Sequence, residues 1–300
     1  MPIDRRTFIT GFAGLVAVSA LKPIAANAAM NDFRPQGQSS VDHGAFDVLV
    51  RKYVKPDAQG YNRVDYRGIK KNLSGLKAYI AALETVNPIS LSRNEAHAYW
   101  INLYNAKTLQ VVAEAYPVTS IKKINLGGSF LFGSGPWKAD LLRVNGTDLS
   151  LDDIEHQIIR PLFKDEMSHY GLNCASYSCP NLATSAFTGT NIDALLRQNA
   201  IDYVNHPRGV TVKNGRITAS KIYSWYAGDF GGKNRLKQHW ASLANPAKAK
   251  QIGSASIANY AYDWSINGIE NRLTVSKLIG AMPYNNGLAS ARASRKEDHV

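Results

Sequence analysis

The feature that most constrains the fold is one long helical segment near the middle of the chain. Ser92 and Glu95 form a capping box, in which each side chain satisfies an exposed backbone donor at a helix start. No glycine or proline follows until Pro117, which lacks the N–H that a helix needs to continue. The sequence therefore predicts a helix over residues 92–116, the longest of the chain.

Two amide side chains lie among the aliphatic positions of this predicted helix. Buried amides need hydrogen-bond partners, so Asn102 and Asn105 either tie down a neighbouring loop or face a pocket. The structural tie is the favoured interpretation, and a role in lining a pocket stays open.

Turn and helix signals place the remaining elements. Two Asn-Gly dipeptides predict tight hairpins over 140–149 and 210–219, because this dipeptide adopts the left-handed backbone of two-residue turns. Apolar spacing and capping residues predict further helices over 45–53, 67–86, 150–160 and 190–205. We predict a single α+β domain over residues 43–288, helix-rich with small antiparallel hairpins. Polar composition predicts a flexible lead-in over 29–42 and a disordered tail over 289–300.

The N-terminus has the parts of an export signal. Paired arginines at positions 5 and 6 precede a short apolar run at 11–21, and small residues follow at 26–28. This order predicts a twin-arginine signal peptide over residues 1–28 that is cleaved after Ala28, and a periplasmic or extracellular location. Spanning a bilayer takes roughly 20 apolar residues, so we expect peripheral membrane contact at most.

The charge of the chain indicates a class of partner. The 35 lysines and arginines outnumber the 23 aspartates and glutamates, which gives a formal net charge of +12. The positive residues are scattered and form no dense blocks interleaved with aromatic residues, so we predict no nucleic-acid binding. We expect a peptide or an anionic cell-envelope component as the partner.

Reactive side chains concentrate between positions 152 and 179. The candidate site residues in this stretch are Asp152, Glu155, His156, His169, Asn173, Cys174, Ser178 and Cys179. A cysteine nucleophile needs a base that forms its thiolate, and the base needs a group that orients it. His156 is the preferred base because Asp152 precedes it by one helical turn. His169, predicted on a strand that leads into the cysteine loop, competes for the role.

The two cysteines allow three interpretations. In the first, one of the cysteines is a nucleophile. In the second, Cys174 and Cys179 form a small structural or redox disulfide, and in the third, both bind a metal together with a histidine. Zinc ligands usually lie two to four residues apart, and no second pair of Cys or His residues is near. The metal therefore ranks third, and we predict neither a metal nor a cofactor. The nucleophile ranks slightly above the disulfide.

Six sequence blocks occur in the order of a known family. They are AYWINLYNA at 98–106, YPVTSI at 116–121, LSLDDIEH at 149–156, LNCASYSCP at 172–180, SKIYSWY at 220–226 and YDWSIN at 262–267. On these blocks the chain resembles the family known as domain of unknown function 547, over about residues 90–270. Plant members carry serine at the position of Cys179, which implies that Cys174 does not need the second cysteine. Ala175 stands where the family usually has glycine.

The family name implies no reaction, but the arrangement of the blocks is similar to a papain-like or transglutaminase-like cysteine site. Histidine precedes cysteine here, so the similarity implies a rearranged fold of that kind. It also implies the following roles: Cys174 as nucleophile, His156 as general base, Glu155 or Asp152 as its orienting group, and Asn173 or Ser178 as oxyanion donors.

Two functions follow as expectations. The favoured one is a thiol-dependent hydrolase or acyl transferase that acts on an amide or thioester bond of a peptide or cell-envelope substrate. The alternative is a non-catalytic periplasmic binding or structural protein with a Cys174–Cys179 disulfide. A cleft shared by Cys174 and His156 would favour the enzyme. The tryptophans at 100, 225 and 264 are expected in the core.

Overall fold

The computed structural model describes residues 33–126 and 135–270. It is rich in helix and carries small antiparallel sheets, so the predicted α+β class is confirmed. The α-helices are α1 (Gly44–Tyr53), α2 (Tyr66–Lys70), α3 (Leu73–Glu84), α4 (Arg93–Ala115), α5 (Arg160–Phe163), α6 (Ile192–Asn205), α7 (Ile222–Trp225), α8 (Leu236–Leu243) and α9 (Pro246–Ser254). Short 3₁₀ turns cover Pro88–Ser90, Ile121–Lys123, Glu166–Tyr170 and Lys233–Arg235, and a π-helical turn covers Asp153–Ile159.

The strands form small sheets. They are β1 (Val54–Pro56), β2 (Asn62–Val64), β3 (Leu142–Val144), β4 (Thr147–Leu149), β5 (Val210–Lys213), β6 (Arg216–Ser220) and β7 (Ser256–Ala261). Each of the pairs β1–β2, β3–β4 and β5–β6 is antiparallel. Both Asn-Gly hairpins are confirmed, and Asn145 and Asn214 have the positive φ of 50° that their turns require.

The sequence did not predict β7. This strand pairs in parallel with β6, through a register shift between Ile217 and Thr218. All six of its residues are exposed or half-buried, without regular alternation. Because alternation of apolar and polar residues is the main signal of a strand, this segment carries little of it.

The helix α4 lies at the centre of the core, and it begins and ends where Ser92 and Pro117 predicted. The Glu95 N–H donates to Ser92 Oγ at 3.4 Å, and the helix ends at Ala115. The second half of the capping box is not formed, because the Glu95 carboxylate accepts from the Val41 and Gly189 N–H groups at 3.3 and 2.7 Å. It packs against α2, α3, α6 and the π-helical turn, and its aromatic residues Tyr99 and Trp100 are fully buried. Burial of side chains of this size contributes roughly 2 to 3 kcal/mol each.

Two clusters of buried apolar residues make up the core. The larger surrounds α4, and the smaller includes Tyr203, Tyr223 and Trp240 from the C-terminal half. Tyr170 belongs to the smaller cluster, whereas Leu172 belongs to the larger. The segment that leads into the cysteine loop therefore runs where the two clusters meet.

The second half of the predicted lead-in is packed against the core. Phe33 is buried and meets Trp100 edge-on at a centroid distance of 5.2 Å. The Gly37 N–H donates to the carbonyl of Ile89 at 3.1 Å, and a backbone bridge joins Ser39 to Leu91. The prediction of flexibility is wrong over 33–42, because one aromatic anchor outweighs the polar composition around it.

Two predicted helices differ in the structure. The helix predicted over 67–86 is interrupted between α2 and α3, where the Asn72 side chain donates to the carbonyl of Gly68 at 3.0 Å and competes with helical bonding. The helix predicted over 150–160 contains the π-helical turn. The signal peptide (1–28) and the tail (289–300) lie outside the described residues. No described helix has the length and apolar character needed to cross a bilayer.

Candidate functional site

One cleft collects most of the reactive side chains. It has a volume of about 270 Å³. Its lining consists of Tyr104, Trp137, Asp152, Glu155, His156, His169, Leu172, Cys174, Cys179, Ile222, Trp225, Tyr226, Tyr262 and Trp264. Six of the eight candidate residues between 152 and 179 thus line the same cavity. Their spacing in the sequence did not show that they would lie together in space.

The cysteine loop is held from behind by α4. Asn105 donates through Nδ2 to the carbonyl of Gly171 at 2.8 Å, and its Oδ1 accepts from the Asn173 N–H at 2.9 Å. Asn102 makes the same pair of bonds to the backbone of Phe187, at 2.7 and 3.1 Å. Both amides are structural ties, and the alternative role in lining a pocket is wrong for Asn102 and Asn105.

Two other candidate residues also lie behind the loop. Asn173 donates to the carbonyl of Pro180 at 2.7 Å, and its Oδ1 accepts from the Ala175 N–H at 3.0 Å. Ser178 Oγ accepts from the Asp263 N–H at 2.8 Å. Both side chains are buried and neither lines the cleft. The structure therefore places Asn173 and Ser178 in the support of the loop, away from the position of an oxyanion donor.

The two cysteines form a disulfide, with their Cα atoms 6.3 Å apart. Cys174 is half-buried and Cys179 is buried. Polar donors surround the sulfurs. The Tyr262 hydroxyl lies 3.1 Å from the Cys174 sulfur and 3.3 Å from the Cys179 sulfur, and the Cys174 N–H points at the Cys179 sulfur from 3.0 Å. Ala175 has a φ of +61°, so the loop uses the left-handed conformation that the usual glycine would adopt without strain.

His156 and Glu155 enter the cleft from the π-helical turn, and Asp152 enters it from the residue just before that turn. In a π turn the backbone bonds run from i to i+5, so Asp152 no longer lies directly one turn below His156. His156 Nδ1 is 4.0 Å from Glu155 Oε1, and an Arg160 guanidinium nitrogen is 3.4 Å away. Burial raises the pKa of Asp152, and the neighbouring Glu155 carboxylate adds to the rise.

His169 has a carboxylate partner that the sequence did not identify. Its Nε2 lies 2.8 Å from Asp229 Oδ2, and Asp229 also accepts two bonds from Arg160 at 2.6 and 2.9 Å. The hydrogen bond from His169, followed by those from Arg160, holds the pKa of Asp229 well below its usual range. His169 also stacks on Tyr226 at 4.3 Å.

The location of His169 differs from the prediction. It lies on the 3₁₀ turn Glu166–Tyr170 and not on a strand, because Asp165 caps this turn by accepting from the Met167 N–H. Asp229 lies 60 positions later in the chain, so spacing provides no signal that joins it to His169. Its proximity to the predicted block at 220–226 was the one available hint.

An aromatic wall forms another side of the cleft. Trp225 lies 4.9 Å from Tyr262 and 5.8 Å from Trp264, and Trp137 lies 5.6 Å from Trp264. Trp225 is 47% exposed. The expectation of three core tryptophans holds for Trp100 and in part for Trp264, which packs against the larger core cluster and also lines the cleft, and it is wrong for the exposed Trp225.

Comparison with known proteins places the segment that builds much of this site. The model of a family described as "Protein of unknown function, DUF547" matches residues 88–204. Residues 88–204 of the chain are a segment of this family. The DUF547 segment runs from the 3₁₀ turn before α4 to the end of α6 and includes Cys174, His156 and His169. No curated protein and no solved structure matches the chain.

Some of the cleft lies outside the matched DUF547 segment. Asp229 and three of the aromatic residues in the wall, at 225, 262 and 264, follow its end. The predicted blocks at 220–226 and 262–267 are therefore beyond the match. No group of three or more His, Cys, Asp or Glu side chains in residues 33–126 and 135–270 is arranged to hold a metal ion.

Proposed function

We propose that the protein is a thiol-dependent hydrolase or acyl transferase, active when Cys174 is reduced, on an amide or thioester bond of a peptide or cell-envelope substrate. The observation that carries the proposal is the shared cleft, in which half-buried Cys174 lies with His156 and His169. A cysteine with an imidazole base in a cavity is the arrangement that nucleophilic catalysis requires. The predicted signal peptide supports a site of action outside the cytoplasm.

The hydrogen-bond partners of the two histidines support different roles for them. Asp229 accepts at Nε2 of His169, which assigns the proton to Nε2 and leaves the Nδ1 lone pair to act as a base. Arg160 has only donors, so its contact with Nδ1 of His156 assigns the proton there to Nε2. His169 is thus the proposed base, which later returns its proton to the leaving group, and the Nε2–H of His156 is the proposed hydrogen-bond donor to the substrate. The sequence had favoured His156 as the base.

The reaction starts from the dithiol form. An external dithiol reduces the disulfide and supplies two electrons and two protons. The Cys174 proton then passes to His169, and the thiolate sulfur bonds to the carbonyl carbon. The bond from that carbon to the leaving amine or thiol breaks, and the leaving group departs with the proton that His169 had taken. Water, or an acceptor nucleophile, releases the acyl group from sulfur. The hydroxyls of Tyr262 and Ser176 lie 3.1 and 3.3 Å from the Cys174 sulfur, where hydrogen bonds would favour the thiolate.

A non-catalytic binding protein is the second candidate. The observation that favours it is the disulfide itself, which joins the two sides of the loop at the cleft and blocks both sulfurs. In that case the cleft binds its partner without covalent chemistry, and the net charge of +12 favours an anionic component of the cell envelope.

The decisive experiment compares the two cysteines by alkylation and intact mass. Mature protein is treated with iodoacetamide before and after reduction, and the labelled peptides are mapped between pH 5 and 9. We expect no labelling before reduction and, after it, faster labelling of Cys174 than of Cys179 near neutral pH. A small acyl thioester should then acylate the reduced protein and the C179A variant but not the C174A variant.

The contrary results would favour the binding protein. These are a disulfide that resists reduction in the folded chain, or a reduced Cys174 with the slow, alkaline labelling of an ordinary thiol and no acylation by the thioester. The H169A variant should slow both reactions of Cys174, which separates an activated thiol from one that is merely accessible.

A further inference from the structure

The proposed chemistry leaves the aromatic wall and the acidic side of the cleft without a role. Trp225 is exposed although tryptophan is usually buried, and its ring contacts those of Tyr262 and Trp264. Its indole adds little to the core in this position. An exposed indole in a wall of aromatic rings is a surface available to a ligand.

The charged residues that line the cleft contrast with the chain as a whole. Asp152 and Glu155 supply two carboxylates, whereas no lysine or arginine is among the described residues that line the cavity. Three cations lie near the cleft without lining it: Arg160 is paired with Asp229, Lys122 lies over Trp264, and Lys138 acts on the Asp152 carboxylate and lowers its pKa in part. A chain with a net charge of +12 therefore places an acidic cavity beside the sulfur pair. Such a cavity attracts a positively charged group.

The rings of the cleft already hold cations in the structure. The Lys122 ammonium lies 5.1 Å from the centre of the Trp264 ring, and the Arg160 guanidinium lies 5.0 Å from the centre of the Tyr226 ring. Burial and the nearby Glu155 carboxylate raise the pKa of Tyr226. Aromatic faces combined with carboxylates recognise organic ammonium groups, because the ring quadrupole and the carboxylate attract the same charge. Trp225, Trp137 and Tyr262 carry no such protein cation among the described residues.

The size of the cavity restricts the ligand. Its volume of about 270 Å³ is just below the roughly 300 to 1,000 Å³ of sites that enclose whole drug-sized molecules. A single alkylammonium group, such as the end of a lysine-like side chain or a small free amine, fits this space. A longer substrate would have to extend outside it.

We infer that the cleft binds an alkylammonium group between the Trp225 wall and the Asp152–Glu155 carboxylates, and that this amine is the acyl acceptor of Cys174. The role as acyl acceptor rests on the proposed function, whereas the binding of the ammonium group does not. In the transfer, the ammonium loses one proton to a histidine of the cleft and its nitrogen bonds to the acyl carbon. The carbon–sulfur bond then breaks, and the second nitrogen proton passes to the Cys174 thiolate.

Binding is tested on the disulfide form of the mature protein, so that no turnover is needed. Ligand-observed NMR titrations compare butylammonium with 1-pentanol, a neutral molecule of similar size. A second pair, Nα-acetyl-lysine amide and Nα-acetyl-norleucine amide, tests an ammonium carried on a peptide side chain. We expect each cation to bind about 10-fold more tightly than its neutral partner. The ratio of the two cation affinities distinguishes a free amine from a side chain.

Variants locate the binding site. W225A should weaken butylammonium binding by about 3- to 30-fold, W225F should restore part of it, and D152N should weaken it by about 10-fold. V48A, at another exposed apolar side chain, and D148N, on the β3–β4 hairpin, are the matched controls and should bind normally. Circular dichroism spectra should be unchanged in every variant used.

Three outcomes would overturn the inference. They are equal binding of cations and neutral partners, cation binding that W225A and D152N leave unchanged, and preferential Trp225-dependent binding of a saccharide such as N-acetylglucosamine. Acyl transfer to butylamine is measured separately, by mass, on the reduced protein. If Cys174 is never acylated while the cation still binds in the cleft, the thiol chemistry and the acceptor role fail and the ammonium site stands.

Discussion

Asp229 Oδ2 lies 2.8 Å from His169 Nε2, and the same carboxylate is held by two hydrogen bonds from Arg160. The guanidinium fixes the carboxylate, and the carboxylate fixes the ring. His169 is further restricted by its stacking on Tyr226 and by contact with Phe230 at 5.4 Å. An imidazole with one nitrogen committed to a carboxylate presents the other nitrogen in a defined direction, which a base must do.

The first prediction concerns this carboxylate. D229N should slow the alkylation of reduced Cys174 at pH 7 by about 10-fold or more, because an amide no longer stabilises the imidazolium that forms when His169 takes the proton. The rate is measured with iodoacetamide between pH 5 and 9, and its midpoint should move to higher pH. D148N is the control. A loss of thermal stability with an unchanged pH profile would assign Asp229 a structural role alone.

The same pair makes the fold sensitive to strong acid. The pKa of Asp229 is lower in the folded protein than in the unfolded chain, because His169 and Arg160 donate to its charged form. Its contribution to stability is therefore present above the unfolded value of about 4 and is lost as the pH falls below it. Urea denaturation between pH 5 and 3 should show a smaller loss of stability in D229N than in the wild type. An equal loss in both proteins would mean that the pair is not linked to folding.

A second prediction concerns a buried histidine remote from the chemistry. A hydrogen bond of 2.8 Å joins His97 Nε2 to Ser168 Oγ, and the imidazole stacks on the Phe163 ring with a centroid distance of 4.1 Å. Burial lowers its pKa to about 3. The imidazole of the unfolded chain binds a proton near pH 6.5, so as the pH falls from that value towards about 3 the free energy of unfolding falls by about 1.4 kcal/mol per pH unit.

The substitution H97Q removes the one proton that the unfolded chain binds at this position, so the fall in stability with pH should be smaller in the variant. The variant should also be less stable than the wild type at pH 7. Urea denaturation at pH 7, 6 and 5 measures the slope as the change in the free energy of unfolding. S168A is the control, because it removes the partner and keeps the titrating ring, so its slope should match the wild type. An unchanged slope in H97Q would show that His97 does not titrate on unfolding.

A third prediction separates the two asparagines of α4. N102A and N105A should each cost about 2 to 4 kcal/mol of stability, because each leaves one buried N–H and one buried carbonyl without a partner. Urea denaturation measures this loss. Only N105A should also reduce the difference in alkylation rate between Cys174 and Cys179, since Asn105 holds both ends of the segment that enters the loop. Equal effects of the two variants on alkylation would contradict that role.

Local signals in the sequence were sufficient for α4 and for the two Asn-Gly hairpins, but they did not predict β1, β2, α7, α8 or α9. The N-cap at Ser92, the stop at Pro117 and the two Asn-Gly turns each act within a few residues, and each was confirmed. The pairing of β7 with β6 joins segments about 40 residues apart, and no local pattern encodes it. The π-helical turn was missed for a related reason, because its wider backbone bonding has the side-chain composition of an ordinary helix.

The site was predictable only as a set of residue types. Proximity in sequence correctly associated Cys174 with Cys179 and His156 with the two carboxylates beside it. It was misleading for Asn173 and Ser178, which lie near the sulfur in sequence but bond to the backbone behind the loop. Asp229 could not be found in this way, because its link to His169 depends on how the two core clusters pack.

The last prediction tests the anchoring of the segment before α1. Phe33 is buried against Trp100, so F33A should destabilise the protein by about 3 kcal/mol through lost burial and the cavity left behind. In F33A only the backbone hydrogen bonds to Ile89 and Ser90 hold segment 36–39 on the core. Limited proteolysis should therefore cut this segment much faster than in the wild type. R34A, at the adjacent exposed residue, should retain the stability and the cleavage rate of the wild type. If F33A and R34A are cut equally slowly, Phe33 is not the anchor, and the backbone bonds at 36–39 are sufficient to hold the segment on the core.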